Sequence, residues 1–181
     1  MAAAGQPISV LEPLMASAAM SVITILVHAT ALIAAASLLR RKFRNGRAAV
    51  RFSADVWLTA NIAMLALAAH FAEIAIWAVV LVWCGEFTRL SAAFYHSAMN
   101  YTSLGYGDVV MSPSWKLLGP IEAAIGLLLF GVSTAMIFAV MQLLLQRKFT
   151  DDVSAPIGAR FPMRAAARPH HRKTTVEENS P

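Results

Sequence analysis

The residues with the clearest chemical potential form one short run, Thr102–Asp108, in which Gly105 and Gly107 flank Tyr106. The chemistry open to such a run is coordination of a cation by main-chain carbonyl oxygens. A bare cation in hydrocarbon costs on the order of tens of kcal/mol, so protein ligands must replace its water shell. Successive carbonyls can face one side only if some residues adopt positive φ values, which glycine does freely. The two glycines permit such an arrangement, but by themselves they are equally typical of an ordinary tight turn.

The run resembles the selectivity filter of potassium channels, a Thr-Val-Gly-Tyr-Gly-Asp sequence preceded by another hydroxyl residue. Ser103 stands where the family has its filter threonine and Leu104 where it has valine. The resemblance covers residues 65–146 and implies the outer helix, pore helix, filter and inner helix of a bacterial potassium channel. It implies K⁺ bound by the carbonyls of Ser103, Leu104, Gly105 and Tyr106, within a filter formed by Thr102, Ser103, Leu104, Gly105, Tyr106, Gly107 and Asp108.

Three long apolar stretches surround this run, at residues 14–39, 56–83 and 117–145, in a chain that is 58% hydrophobic and 14% charged. Each stretch exceeds the roughly 20 residues that cross a bilayer. Residues 91–101 are too few to cross and predict a re-entrant pore helix. The fold expected is an all-α membrane protein with three transmembrane helices, a re-entrant pore helix and a filter loop, tetrameric like a potassium channel. Since one chain holds one filter motif, four copies are needed.

The distribution of basic residues predicts the topology. Six Lys and Arg residues fall between positions 40 and 51, which indicates a cytoplasmic loop. The sequence thus predicts an extracytoplasmic N-terminus at 1–13, a first helix and basic loop at 14–54, a pore domain at 55–146 and a disordered cytoplasmic tail at 147–181. The net charge of +5 is then an orientation signal, with anionic lipid contact as a second use and nucleic acid excluded. Alanine richness suggests a bacterial inner membrane.

Residues next to the filter are expected to support it. The resemblance places Tyr95 near Asp108, and His96 within reach of Tyr106 of a neighbouring chain. His96 either tunes the filter with external pH or is a neutral hydrogen-bond donor. Glu122 either braces the filter or is a first-turn carboxylate favoured by the helix dipole. The predicted support residues are Tyr95, His96, Ser97, Met99 and Glu122.

Two further groups lie on the long helices. Small residues on the third stretch either line the pore and provide a hinge, or permit close helix packing; they are Gly126, Gly131, Ala135 and Ala139. On the second stretch His70 and Glu73 share one helical face. They form either a proton-sensitive pair that biases gating, or hydrogen bonds with each other or with His28 that order the helices.

The function expected is passive, potassium-selective conduction, with K⁺ as the permeant ion and no cofactor, small-molecule substrate or enzymatic activity. Ser103 lacks the threonine methyl group and Leu104 is bulkier than valine. These departures keep open a weakly selective monovalent cation channel. A non-conducting regulatory subunit is the other alternative, since sequence does not demonstrate conduction.

Overall fold

The computed structural model describes residues 10–44 and 52–154, with side chains up to residue 149. Within these ranges the chain forms four α-helices and no strand, which confirms the predicted all-α fold. The helices are α1 (Leu11–Arg44), α2 (Phe52–Trp83), α3 (Leu90–Tyr101) and α4 (Leu118–Ser154). The chain divides into two units, Met1–Leu145 and Gln146–Pro181.

Three segments are long and apolar enough to cross a membrane: α1, α2 and the part of α4 from Leu118 to Phe149. They correspond to the three predicted stretches, and α1 extends beyond its stretch at both ends. The 34 residues of α1 reach about 51 Å at a rise of about 1.5 Å per residue. Because the hydrocarbon core of a bilayer is only about 30 Å thick, α1 must tilt or protrude.

The 12 residues of α3 are too few to cross. α3 begins at Leu90, one residue before Ser91, where the pore helix was predicted to start. The residue before it, Arg89, makes no capping hydrogen bond with its side chain. α3 packs against α2, and Trp77 of α2 and Tyr101 of α3 are both fully buried in one cluster. The indole N–H of Trp77 donates to Thr24 Oγ1 over 3.0 Å, which joins α2 to α1. Since lipid is as apolar as this core, close packing and buried hydrogen bonds hold the helices together.

Two polar contacts fix the ends of the helices. Lys42, near the end of α1, donates a hydrogen bond to Asp55 in the first turn of α2. Glu86, just after α2, accepts from the Ser112 amide over 2.7 Å and from its hydroxyl over 2.6 Å. The second contact ties the turn after α2 to the segment that follows the filter run, the name used for residues 102–108, in which the filter is predicted.

A turn precedes α4. The Ser112 carbonyl accepts from the amides of Trp115 and Lys116, which closes a turn, and α4 starts only at Leu118. Pro120 therefore lies in the first helical turn, where its missing N–H breaks no helical hydrogen bond. At its other end α4 continues to Ser154, so residues 147–154, predicted as disordered tail, are helical. The remainder of the predicted tail, 155–181, lies outside the described residues.

Candidate functional site

The filter run starts at a hydrogen-bonded cap on the end of α3. Thr102 is the C-cap, and Ser103 follows with φ = +58°. The Ser103 amide donates to the Asn100 carbonyl over 2.8 Å, and the Leu104 amide to the Met99 carbonyl over 3.0 Å. These are the two hydrogen bonds of a Schellman motif, which usually has glycine in the left-handed position. The same cap therefore ends α3 and starts the run that was predicted to be the filter.

Positive φ values recur at every second residue of the run: +58° at Ser103, +51° at Gly105 and +74° at Gly107. Leu104 and Tyr106 between them do not have positive φ. Alternation of left-handed and ordinary backbone turns successive peptide planes over, so that their carbonyls can share one side. The sequence identified this twist at the glycines and missed it at Ser103, because a serine in this conformation is uncommon.

The two ends of the filter run are anchored differently. At the inner end, the Met99 carbonyl also accepts from the Gly105 amide over 3.2 Å. At the outer end, the Tyr95 hydroxyl donates to Asp108 Oδ2 over 2.9 Å. The structure thus brings Tyr95 and Asp108 together within one chain. Met99 contributes through its backbone, a role that its side chain could not reveal in the sequence.

The carboxyl group of Glu122 is fully buried beside α3. The Ser97 hydroxyl contacts both Glu122 Oε1 and, over 3.0 Å, the carbonyl of Ile74. A hydroxyl has one hydrogen to donate, and the Ile74 carbonyl can only accept. If Ser97 donates to Ile74, the hydrogen between Ser97 and Glu122 must come from the carboxyl, which is then neutral. Glu122 Oε2 has no hydrogen-bond partner among the described residues, as suits a buried group without charge.

His96 makes contacts within its own chain. Its Nε2 lies 3.0 Å from Asn100 Nδ2, and its ring lies 5.1 Å from that of Phe87. Because an amide nitrogen only donates, His96 Nε2 is the acceptor, which is the arrangement of a neutral imidazole. Burial lowers the pKa of His96, and this effect outweighs a hydrogen bond to the Val109 backbone that acts to raise it.

The small residues of α4 fall into two groups. Gly131, Ala135 and Ala139 are exposed in the single chain, on one side of the helix. Gly126 is buried instead: a Cβ there would come 2.1 Å from the Tyr101 carbonyl oxygen. Only glycine allows α4 to approach the end of α3 this closely. The structure therefore separates Gly126, which is a packing residue, from the three that remain candidates for lining a pore.

His70 and Glu73 of α2 lie away from the filter run, buried between the helices. His70 Nδ1 is 3.3 Å from Glu73 Oε2, and His28 Nδ1 is 3.0 Å from Glu73 Oε1. Both hydrogen bonds considered from the sequence are therefore present. Sequence reasoning missed Ser133 and Tyr101, which contact the same histidine, because neither residue type stands out in an apolar helix.

Comparison with known protein families matches the part of the chain that contains α3 and residues 102–108. Residues 69–143 match a family model described as an ion channel. This part of the chain is therefore similar to an ion channel domain. The match includes α3, the whole filter run and the first two thirds of α4, and it begins four residues inside the unit predicted at residue 65. No curated protein and no solved structure matched the chain.

Proposed function

We propose that this chain is one subunit of a homotetrameric channel that passes K⁺ down its electrochemical gradient. The observation that carries the proposal is the alternation of positive φ at Ser103, Gly105 and Gly107 directly after a helix that is too short to cross. Four such loops around an axis supply rings of carbonyls from residues 103–106, which replace the hydration shell of the ion. The match over residues 69–143 to a family model described as an ion channel supports the channel part of the proposal.

The need for further copies follows from exposure. In the single chain Leu104, Tyr106 and Val110 are 55%, 70% and 76% exposed, and the whole filter run is uncovered. Irregular backbone at membrane depth is tolerated only where protein covers it or water fills the cavity. Neighbouring copies would cover the apolar side chains and leave the carbonyls facing a shared axis. The C-terminal end of α3, which carries the negative pole of its dipole, would face the cavity below.

The decisive experiment is ion flux into vesicles that contain the purified protein. Wild-type protein is expected to take up rubidium, with little competition from sodium and with block by barium, which fits the rings in place of K⁺. Rubidium uptake that sodium suppresses equally would indicate a weakly selective cation channel. No uptake by correctly assembled protein would leave only the non-conducting subunit and overturn the proposal.

Gly105→Ala and Gly85→Ala make a matched pair for this assay. Both glycines have positive φ, +51° and +78°, and both have open space where a Cβ would stand. Each substitution therefore costs about 1–2 kcal/mol of backbone strain without a clash. Only Gly105 belongs to the filter run, so Gly105→Ala is expected to abolish rubidium flux while Gly85→Ala preserves it. Equal flux through both variants would refute carbonyl coordination at this loop.

The proposed topology places the N-terminus outside and the tail in the cytoplasm, on the strength of the basic loop. Cys84 is the only cysteine and is half-buried just after α2, which puts it on the outer side. Burial and nearby Glu86 raise its pKa, so a membrane-impermeant maleimide must be applied at alkaline pH. Intact cells should be labelled at Cys84, whereas a Cys84→Ser, Arg44→Cys variant should react only after lysis. Labelling of the Arg44→Cys variant in intact cells, with Cys84 labelled only after lysis, would show that the topology is the reverse of the one proposed.

A further inference from the structure

A second polar site lies in the core of the same chain, apart from the filter. Each of the four helices contributes to it, and its members are buried. They are His28 from α1, His70 and Glu73 from α2, Tyr101 from α3 and Ser133 from α4. None of these side chains is needed to form the carbonyl rings. Ionisable groups at membrane depth are costly and rarely occur without a function or partner.

The geometry is that of two histidines converging on one carboxylate. The Nδ1 atoms of His28 and His70 lie 3.0 and 3.3 Å from the two oxygens of Glu73. The opposite edges of both rings meet at one hydroxyl, with each Nε2 3.1 Å from Ser133 Oγ. The ring centroids are 5.1 Å apart. The imidazoles are therefore held side by side, with corresponding nitrogens aimed at the same partners.

The hydroxyl of Ser133 decides what the inner edges can do. A serine oxygen can accept two hydrogen bonds. When both Nε2–H groups donate to it, both Nδ1 atoms are left as lone pairs that face a carboxylate. The ion-pair partners that the structure gives Glu73 are these same two histidines. In that arrangement the Tyr101 hydroxyl supplies one hydrogen to Glu73, and a cation between the two Nδ1 atoms and the carboxylate would stabilise groups that otherwise present lone pairs to one another in a medium of low dielectric constant.

We propose that His28, His70 and Glu73 bind a divalent transition metal ion, with Zn²⁺ as the best fit. Their ligand atoms lie within 4.8 Å of one another. Tetrahedral Zn²⁺, with bonds of about 2.0–2.2 Å, places its ligand atoms roughly 3.3–3.6 Å apart. Two imidazoles exclude Ca²⁺ and Mg²⁺, which prefer oxygen. Ser133 supplies the acceptor that a metal-bound histidine needs for its other N–H group.

Tyr101 is positioned as the fourth ligand. Its hydroxyl lies 2.9 Å from His70 Nδ1 and donates to Glu73 Oε2, so it borders the same space. Tyr101 is also the last residue of α3, immediately before the filter run. A bound metal would join α1 and α2 to the base of the filter. The extra N-terminal helix, α1, thereby gains a specific role, because it supplies one of the three primary ligands.

A small cavity adjoins the site on the side of the basic loop. It has a volume of about 10 Å³ and is bordered by His28 and Ser133, with Ala31, Ala35 and Ile62 beyond them. A space of this size is at the lower limit for holding a single water molecule. The cavity therefore leaves a small space next to His28 and Ser133 on that side of the site.

The test is metal binding to the purified full-length protein, stripped with a chelator, with Co²⁺ as the spectroscopic probe. The chain has five histidines, so His170 and His171 are first replaced by Asn to remove background binding by the tail. One Co²⁺ per chain is expected, with the strong visible absorption of four-coordinate cobalt, and Zn²⁺ should abolish the absorption. His28→Gln should weaken binding at least about 100-fold, because second-shell changes alone cost 10–100-fold. His96→Gln, outside the cluster, should leave it unchanged.

Ser133→Ala guards against variants that fail to fold. This variant keeps all the ligands. If it elutes as assembled protein in size exclusion and binds Co²⁺ about 10–100-fold more weakly, the site is supported. Zn²⁺ should also raise the thermal midpoint of the parent protein and leave that of His28→Gln unchanged. Absence of four-coordinate cobalt in the parent, or equal binding by His28→Gln, overturns the proposal and leaves the cluster as a proton-holding hydrogen-bond network. Binding is measured without flux, so this result is independent of conduction.

Discussion

Gly126 of α4 lies directly against Tyr101, the residue at which the pore helix ends: a Cβ on Gly126 would stand 2.1 Å from the Tyr101 carbonyl oxygen and 2.9 Å from its carbonyl carbon. These atoms are backbone, so no side-chain rotation relieves the overlap. The contact holds α4 against the end of α3, directly before residues 102–108. It is the closest approach that any glycine makes in the described part of the chain.

Gly126→Ala is therefore expected to push α4 away from α3 and to destabilise the protein. Overpacking of this kind costs about 1–3 kcal/mol, which should appear as a lower thermal midpoint in detergent. Gly131→Ala is the matched control, because nothing lies within 4 Å of a Cβ at that exposed position on the same helix. Its thermal midpoint should stay the same or rise slightly. Equal loss in both variants would show that the contact with Tyr101 is unimportant.

The neutral carboxyl inferred for Glu122 leads to a prediction about isosteres. Glu122→Gln keeps the size of the group and can donate an N–H to Ser97, so it should conduct and inactivate much as wild type does. Glu122→Ala removes the group, leaves a cavity and should speed the loss of conduction. The measurement is the decay of single-channel activity in planar bilayers.

A double-mutant cycle with Ser97→Ala tests whether the two residues act together. Because Ser97 and Glu122 share one hydrogen, their substitutions to Ala should be strongly non-additive. A Gln variant as damaged as the Ala variant would mean that Glu122 carries a charge. Additive effects would mean that the hydrogen bond between the two side chains contributes nothing to the filter.

The parts of the fold that follow from local physics were predictable. Apolar length fixed the three spans, and a short helix before two alternate glycines located the filter run. The contact of Tyr95 with Asp108 was predicted from the resemblance to potassium channels and not from local physics. The left-handed Ser103 was not predictable from residue type, since serine seldom occupies that region.

The parts that were missed depend on how helices distant in sequence meet. Glu86 could not be matched with Ser112 before the turn after α2 was placed beside the filter exit. Gly126 could not be separated from Gly131, because both are small residues on one helix and only the packing of α3 distinguishes them. Ser133 looked like an ordinary hydroxyl in an apolar span, and its importance emerges only when two histidines from different helices are found to share it.

Tyr95 provides a test of the outer anchor at alkaline pH. Its hydrogen bond to Asp108 raises the pKa of the phenol above the usual 10.0. The bond therefore stabilises the folded filter fully below pH 10.0, and its contribution is lost as the pH rises through the raised pKa. Tyr95→Phe should inactivate faster than wild type at every pH up to 10.0, and the difference should shrink only above it. Asp108→Asn, which keeps an acceptor oxygen but removes the charge, should lie between them. A difference that disappears well below pH 10.0 would contradict the assignment.

His96 provides a test at acid pH, because its pKa is shifted in the opposite direction to that of Tyr95. Asn100 donates to its Nε2, and burial lowers its pKa below the usual 6.5 despite the carboxylates of Asp108 and Glu86, which act to raise it. The histidine therefore takes up a proton less readily than a free imidazole, and rubidium flux should vary little between neutral pH and 6.5. This favours the neutral hydrogen-bonding group over the external pH sensor.

Below pH 6.5 the unfolded chain takes up this proton more readily than the folded chain. The stability that the neutral ring contributes is therefore present above pH 6.5 and falls as the pH drops toward the lowered pKa. The thermal midpoint should decline over this acid range in wild type and decline less in His96→Gln. His96 and Lys116 border one cavity of about 230 Å³. Lys116→Gln therefore controls for the charge of Lys116, and its thermal midpoint should decline as that of wild type does. A rubidium flux that changes between neutral pH and 6.5, and no longer does so in His96→Gln, would make His96 a pH sensor after all.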